Sequence, residues 1–145
     1  MIIVDSMLGK LSRYLRLIGY EVEYIGSDKD DSYIISICKD RLMITRDRQL
    51  HERVANSILL RSFDTLEQLK ELKGKLPPAE HSFMELCSVC GTIVERAELN
   101  GDVPDYVNKN AKEIFRCKKC GRYYWNGSHT DHFRKQMEMI GYEIH

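Results

Sequence analysis

The sequence predicts an α/β fold, with a parallel sheet between flanking helices, followed by a smaller cysteine-bearing unit. Short apolar segments alternate with amphipathic helical segments over residues 1–76. Strands that alternate with helices are typical of βαβ units, which build parallel sheets. A Pro-Pro pair at Pro77 then interrupts the alternation, and further along the composition shifts to cysteine, glycine and tyrosine. We therefore predict a first domain at 1–76, a linker at 77–84 and a second unit with a C-terminal helix at 85–145.

Four segments of the first domain have strand character. Residues 21–25 alternate, because Val22 and Tyr24 are flanked by charged side chains. The other three are short runs that suit a sheet covered on both faces. They lie at Ile2–Val4, Leu42–Thr45 and residues 57–60.

Helical periodicity predicts the first helix at residues 7–18. Ser6 is expected to cap its start, and Gly19 suits the position just past its end. Its apolar face consists of four residues at spacings of three, four and three: Leu8, Leu11, Leu15 and Ile18.

Two helices are predicted on either side of the third strand. One starts at Asp30 or Asp31, and Cys38 on its apolar face is expected to be a small buried core residue. The other runs from Asp47 to about residue 56.

The last two helices are predicted from their start signals and periodicity. The fourth helix begins near Thr65, which with Gln68 would form a capping box. A C-terminal helix is predicted from Thr130, with apolar residues at spacings of four and three: Phe133, Met137 and Ile140.

Composition narrows the possible environments and partners. The 22 basic and 22 acidic residues leave no net charge, so nucleic-acid binding would require a local basic patch. No apolar run approaches the roughly 20 residues of a membrane span, and the N-terminus has strand rather than signal-peptide character. Without an export signal, we expect a cytoplasmic protein whose spaced cysteine pairs bind metal rather than form disulfides.

Two matching cysteine motifs predict a structural zinc site. Cys87 and Cys90 form one CxxCG motif, and Cys117 and Cys120 form the other. Two intervening residues let both thiolates of a pair reach one ion, and the following glycine permits the tight turn. Four thiolates complete a tetrahedron, so the ion would be structural rather than catalytic. The alternatives are an iron site or a redox-active pair, and the glycines and the absence of a βα context disfavour the latter.

Three carboxylates are predicted at one edge of the sheet. Asp5 follows the first strand, Asp31 opens the second helix and Asp47 follows the third strand. The carboxyl ends of parallel strands share one edge, where ligands bind. Clustered carboxylates suit Mg²⁺ or Mn²⁺, which can activate water for phosphodiester cleavage. Alternatively these residues only cap helices, Asp30 replaces Asp31, or Asp64 is a fourth ligand.

Basic residues lie next to this predicted acidic site. Lys10, Arg13 and Arg16 follow Asp5 along the first helix and form either a track for phosphates or an ordinary solvated face. Arg46 directly precedes Asp47 and would hold a carboxylate of the metal site or the scissile phosphate.

Six sequence motifs together resemble the Mut-seven-C RNase family. The resemblance covers nearly the whole chain and implies a PIN-like nuclease domain fused to a C-terminal zinc ribbon. It implies a catalytic site at Asp5, Asp31 and Asp47, whereas a fourth carboxylate typical of many PIN nucleases is not matched. Two positions differ from the usual family pattern, at residues 12–14 and at Cys38. The motifs are VDSMLGKLSRYLRLIGY at 4–20, Asp31-x-x-Ile34, ITRD at 44–47, EQL at 67–69, both CxxC pairs and YWNGSH at 124–129.

Aromatic residues after the second cysteine pair suggest a further RNA contact. Trp125 and His129 lie near Lys118, Lys119 and Arg122 and would stack on RNA bases. The alternative is that they pack the ribbon onto the PIN-like domain.

Together these observations predict a metal-dependent ribonuclease with an acidic Mg²⁺ or Mn²⁺ site, a structural zinc ion and single-stranded RNA as substrate. A non-catalytic RNA-binding or scaffold protein and a single-strand DNA nuclease are the alternatives. The sequence contains no residue that plainly reads a 2′-hydroxyl group.

Overall fold

The computed structural model describes residues 1–98 and 113–145. Its first part contains a four-stranded parallel sheet in the order β2-β1-β3-β4, which confirms the predicted α/β fold. The strands are β1 (Ile2–Val4), β2 (Val22–Tyr24), β3 (Leu42–Thr45) and β4 (Ser57–Leu59). Helices α1 (Gly9–Ile18), α2 (Asp31–Ile37), α3 (Arg48–Arg53) and α4 (Thr65–Leu72) connect or follow them.

Hydrophobic side chains cover both faces of this sheet. Ile2 and Val4 pack on one face with residues of α1 and α4, whereas Ile3 points to the other face. There Ile3 packs with Met43 and with residues of α2 and α3. Cys38 belongs to this second cluster and is buried, as predicted.

Strand register fixes which residues meet at the edge of the sheet. Val4, the last residue of β1, pairs with Tyr24 on one side and with Ile44 on the other. The amide of Asp5 continues this pairing by donating to the Ile44 carbonyl at 3.4 Å. The residues that follow β1 and β3 therefore lie side by side.

Local contacts at the helix starts differ from two predictions. α1 starts at Gly9 without a side-chain cap, so Ser6 does not cap it. Thr65 and Gln68 do not form a capping box either, because Asp64 caps α4 and the Gln68 amide instead donates to the Ser62 carbonyl at 2.9 Å.

The predicted linker lies against the end of α1. The amide of His81 donates to the Gly19 carbonyl, and the amide of Met84 donates to the Leu17 carbonyl, each at 2.9 Å. His81 Nε2 lies 2.9 Å from Glu21 Oε1, and this hydrogen bond raises the pKa of His81 above its ordinary value. These contacts hold the chain in place between the two predicted units.

The C-terminal part forms a three-stranded antiparallel sheet followed by a helix. The sheet has the order β5 (Glu95–Ala97), β6 (Ile114–Arg116) and β7 (Tyr123–Trp125). Helix α5 (Ser128–Met139) starts two residues before the predicted Thr130. Its Met137 is fully buried in the cluster formed by α1 and α4, so this helix packs on the α/β part.

A buried arginine joins the two parts. Arg16 of α1 is only 7% exposed, and its Nη2 donates to the Val22 carbonyl at 2.7 Å. Its Nη1 donates to the carbonyls of Ser88 at 3.3 Å and Val89 at 2.7 Å, inside the first cysteine motif. Arg16 was predicted to belong to a phosphate track with Lys10 and Arg13, but its guanidinium is buried and bonds backbone carbonyls instead.

None of the helices within 1–98 and 113–145 is long and apolar enough to cross a membrane.

We expect Arg16→Met to lower the free energy of unfolding by about 3 kcal/mol. The substitution keeps an unbranched apolar side chain but leaves buried carbonyl groups without their charged donor. Urea denaturation measures the change. Arg13→Met, on the exposed face of the same helix, is the matched control and should shift stability by no more than about 0.5 kcal/mol. Equal effects of the two substitutions would contradict the bridging role of Arg16.

Candidate functional sites

The four cysteines of the two CxxCG motifs converge on one point. Their Sγ atoms all lie within 4.8 Å of one another. Cys87 Sγ and Cys120 Sγ are 3.7 Å apart, close to the edge of about 3.8 Å of a tetrahedron with zinc–sulfur bonds of about 2.3 Å. Four thiolates at this spacing fit zinc without further ligands.

The two cysteine turns have the same geometry. Gly91 and Gly121 adopt φ values of 74° and 80°, a left-handed conformation that a residue with a Cβ adopts at an energetic cost. Their amides donate to the carbonyls of Cys87 and Cys117, each at 2.8 Å. Each turn thus aims its two thiols at the same point.

Tyr124 is a supporting residue that the sequence analysis did not assign to the zinc site. Its hydroxyl lies 2.9 Å from Cys87 Sγ and accepts a hydrogen bond from the Ser88 amide at 3.1 Å. Burial alone would raise the pKa of Cys87, but hydrogen bonds from Tyr124 and from the amides of Cys90 and Val89 lower it to about 7. Cys87 therefore favours the thiolate form that metal binding requires, whereas burial and the neighbouring cysteines raise the pKa of Cys90 to about 12.

Arg16 contributes charge to the same site. Burial lowers its pKa, and the negative charges of Cys87 and Cys90 oppose that shift, so the guanidinium lies in the field of the cysteine cluster. A guanidinium stays protonated in proteins, so it offsets part of the negative charge that four thiolates concentrate here.

At the carboxyl edge of the parallel sheet, Asp5, Thr45 and Asp47 form a hydrogen-bonded group that we call the acidic edge. Asp5 is 6% exposed, its Oδ2 accepts from the Thr45 hydroxyl, and its Oδ1 accepts from the Met7 amide at 3.1 Å. The Thr45 hydroxyl in turn accepts from the Asp47 amide at 2.9 Å. Sequence analysis missed Thr45, although a polar residue at the end of an apolar strand was an available signal.

Asp47 has one oxygen in a helix cap and one that the cap leaves open. Its Oδ1 accepts from the amides of Gln49 at 2.9 Å and Leu50 at 3.2 Å at the start of α3. Within residues 1–98 and 113–145, its Oδ2 accepts no hydrogen bond.

Asp31 stands apart from the acidic edge. Asp30 caps α2 by accepting from the Tyr33 amide at 2.8 Å, so Asp31 is not needed as a cap. Its Oδ2 lies 3.8 Å from Arg53 Nη1. In the described part of the chain, only the four cysteines form a group of three or more ligating side chains within 4.8 Å. Asp5, Asp31 and Asp47 therefore do not form a preassembled cluster.

Arg46 packs on the loop that follows β4. Its guanidinium carbon lies 3.5 Å from the centroid of the Phe63 ring, and Phe63 is 85% exposed. Arg46 Nε is buried and has no hydrogen-bond partner among the described residues. The side chain is thus held by stacking, next to the residue that caps α3.

Lys10 and Arg13 line a cavity of about 690 Å³ between the start of α1 and the first cysteine turn, which we call the α1 groove. Tyr14, Tyr24 and Val89 also line this groove. Lys10 Nζ lies 5.5 Å from the centroid of Tyr14, so cationic and aromatic groups are adjacent. Arg16 borders the groove from its buried position.

Trp125 and His129 lie together where β7 leads into α5. Their rings contact edge to face, with centroids 5.7 Å apart. Both line a smaller cavity at the junction of the ribbon and the α/β part. Lys118 instead forms an ion pair with Glu95 of β5, with its Nζ 2.9 Å from Glu95 Oε2.

Comparison with known families identifies this arrangement. A family model described as Mut7-C RNAse domain matches residues 1–137. The chain belongs to the Mut7-C RNAse domain family. This confirms the resemblance drawn from the sequence motifs and supports a nuclease-type function for this Mut7-C chain, with RNA as the implied substrate. A search of curated proteins and a search of solved structures found no match.

The purified Mut7-C chain should contain about one zinc ion per molecule, bound by four sulfur atoms. Elemental analysis gives the stoichiometry, and X-ray absorption spectroscopy gives the ligands. Cys117→Ser should lose the ion and destabilise the C-terminal sheet, because metal binding supplies folding energy there. Cys38→Ala is the matched control: it removes a buried thiol outside the cluster and should keep the zinc. Nitrogen ligands, or zinc-free wild type, would contradict the assignment.

Proposed function

We propose that this Mut7-C protein is a PIN-type, metal-dependent ribonuclease that hydrolyses single-stranded RNA at the acidic edge. The observation that carries this proposal is Asp5, a carboxylate almost fully buried at the end of the central strand β1 and connected through Thr45 to Asp47. A buried carboxylate without a basic partner is costly unless a cation balances it. Its position at the carboxyl edge of a parallel sheet is where ligands of such folds bind.

The oxygen ligands at this edge suit Mg²⁺ or Mn²⁺. Asp5 is oriented by two hydrogen bonds, and the Oδ2 atom of Asp47 is open on the same edge. Asp31 would supply the third carboxylate, since Asp30 rather than Asp31 caps α2. When bound, the metal lowers the pKa of a coordinated water and neutralises charge that develops on the phosphate. The carboxylates would hold that site, and Thr45 orients Asp5 while it accepts from the backbone amide of Asp47.

Arg46 would bind the scissile phosphate. Its guanidinium is held against Phe63 by stacking, and within residues 1–98 and 113–145 it forms no ion pair with a carboxylate. A planar guanidinium with free donors matches phosphate oxygens. The exposed ring of Phe63 lies next to that position and is available to an unpaired base.

The α1 groove would hold the RNA backbone that approaches the acidic edge. Lys10 and Arg13 lie in the first two turns of α1, shortly after Asp5 in the sequence, and line the groove. Because the chain has no net charge, this local pair of cations supplies the attraction that overall charge does not.

A non-catalytic RNA-binding role is the second candidate. The observation that favours it is that Asp5, Asp31 and Asp47 do not form a cluster of ligands within 4.8 Å in the described residues. Cleavage assays with Mg²⁺ and Mn²⁺ on single-stranded RNA and DNA separate three outcomes. Cleavage of RNA supports the ribonuclease, cleavage of DNA alone supports a single-strand DNA nuclease, and RNA binding without any cleavage supports the binding protein.

Asp5→Asn and Asp47→Asn should each lower RNA cleavage by at least about tenfold, because substitutions around a metal site typically lower metal affinity or activity by that factor or more. Asn is also a good helix cap, so Asp47→Asn should keep α3, and Asp5→Asn keeps an oxygen that can accept a hydrogen bond, so the fold should survive in both variants. Without metal, Asp5→Asn should melt at the wild-type temperature or above, since a buried charge is removed. Asp64→Asn is the matched control, because Asp64 caps α4 through the Glu67 amide. Wild-type cleavage in both site variants would contradict the proposal.

Replacing Lys10 and Arg13 together by Ala should weaken RNA binding and flatten its salt dependence. Each lost contact with a single strand should reduce the slope of log K against log salt by about 0.7. Filter binding across a salt series measures it. Lys73→Ala with Lys75→Ala is the control of equal charge, since these residues follow the end of α4, away from the carboxyl edge. An unchanged slope in the α1 variant would show that Lys10 and Arg13 belong to an ordinary solvated surface and do not contact phosphates.

A further inference from the structure

The second cavity, at the junction of the ribbon and the α/β part, has the features of a ligand site. Its volume is about 310 Å³, at the lower end of the range of about 300–1,000 Å³ found for small-molecule sites. Four segments build it: the end of α1, the predicted linker, the first cysteine turn, and β7 with α5. We call it the aromatic cavity, after its six aromatic lining residues: Phe83, Tyr123, Tyr124, Trp125, His129 and Phe133.

Aromatic rings form most of its wall. Trp125 and His129 meet edge to face, while Phe83 and Phe133 are nearly parallel, with an angle of 14° and centroids 6.1 Å apart. Unstacked nucleobases bind proteins by stacking on such rings, and this stacking tolerates any base. Ser88 and His129 add polar groups that can reach the edge of a base.

Positive charge flanks the cavity on two sides. On one side, Phe133 of the cavity contacts Tyr14 of the α1 groove, with centroids 4.9 Å apart, so the cavity adjoins Lys10 and Arg13. On the other side, the Arg134 guanidinium lies 5.2 Å from the ring centroid of Phe83. An aromatic cavity between cationic groups is complementary to a nucleotide, which joins an apolar base to a phosphate.

We infer that the aromatic cavity binds one unstacked base of the single-stranded RNA whose backbone lies along the α1 groove. The inference rests on the proposal that RNA is the substrate and adds the position at which the chain holds a base. Helix α1 has 10 residues and is about 15 Å long, and it separates Asp5 from the cavity wall at Leu17.

Trp125 provides a direct signal for this binding, because it is the only tryptophan of the chain. Zinc-loaded full-length protein is titrated with nucleoside 5′-monophosphates, without added Mg²⁺ or Mn²⁺, while tryptophan emission is recorded. A saturable change in emission is expected for the nucleotides and not for ribose 5-phosphate, which lacks a base. No response up to about 10 mM nucleotide, or an equal response to ribose 5-phosphate, would overturn the inference.

Two variants test the aromatic wall. Phe133→Leu keeps apolar packing but removes a stacking ring, and it should weaken nucleotide binding by about five- to 150-fold. His129→Ala changes an exposed residue and should weaken binding without lowering the melting temperature, so it decides the matter where Phe133→Leu unfolds. Phe115→Leu, a ribbon phenylalanine outside the cavity, is the matched control and should bind as wild type does. Wild-type affinity in both cavity variants would show that these rings are ordinary packing.

The same titration separates this inference from the proposed nuclease activity. Asp5→Asn should bind mononucleotides as wild type does, because the acidic edge lies at the other end of α1. Nucleotide binding without RNA cleavage would leave the cavity assignment intact and remove the catalytic one. Cleavage of RNA without any nucleotide-dependent change in emission would do the reverse.

Discussion

The bridge made by Arg16 is the interaction on which the arrangement of this Mut7-C chain depends. One guanidinium donates to a carbonyl at the start of β2 and to two carbonyls of the first cysteine turn. A buried cation is tolerated here because backbone acceptors and the nearby thiolates balance it. The bridge fixes the zinc ribbon against the face of α1. The α1 groove and the aromatic cavity are the spaces that this docking leaves between the two parts.

The acidic edge depends on a different constraint, the parallel pairing of β1 with β3. That register brings Asp5 beside Thr45, and the Thr45 hydroxyl then links Asp5 to Asp47. Capping and catalysis need not exclude each other at Asp47, since one of its oxygens holds α3 and the other is open. The placement of Asp31 differs, because it lies at the start of α2, where its Oδ2 is 3.8 Å from Arg53 Nη1. Any shared cation would have to draw Asp31 inward.

The acidic edge and the two proposed RNA-binding cavities are arranged along one helix, α1. The acidic edge precedes the first turn of α1, the cationic groove runs along its exposed side, and the aromatic cavity lies by its last turn. Helix α5 completes that cavity while burying Met137 in the α/β core, so the C-terminal helix serves both parts. On the proposed function, a chain of 145 residues without net charge would thereby present an extended surface to a single strand.

The sequence by itself determined the elements whose signals are local. One alternating segment and three short apolar runs predicted the four strands, and the CxxCG pairs predicted the cysteine cluster, because these signals lie within a few neighbouring residues. Only the tertiary structure decided what distant contacts control. Arg16 is buried by tertiary contacts, since two of the carbonyls that accept from its guanidinium lie about 70 residues further along the chain. The tertiary structure also placed the Tyr124 hydroxyl beside the Cys87 thiol, and the Thr45 hydroxyl between the Asp5 carboxylate and the Asp47 amide. Such roles depend on which side chains folding brings together, and no local pattern contains that information.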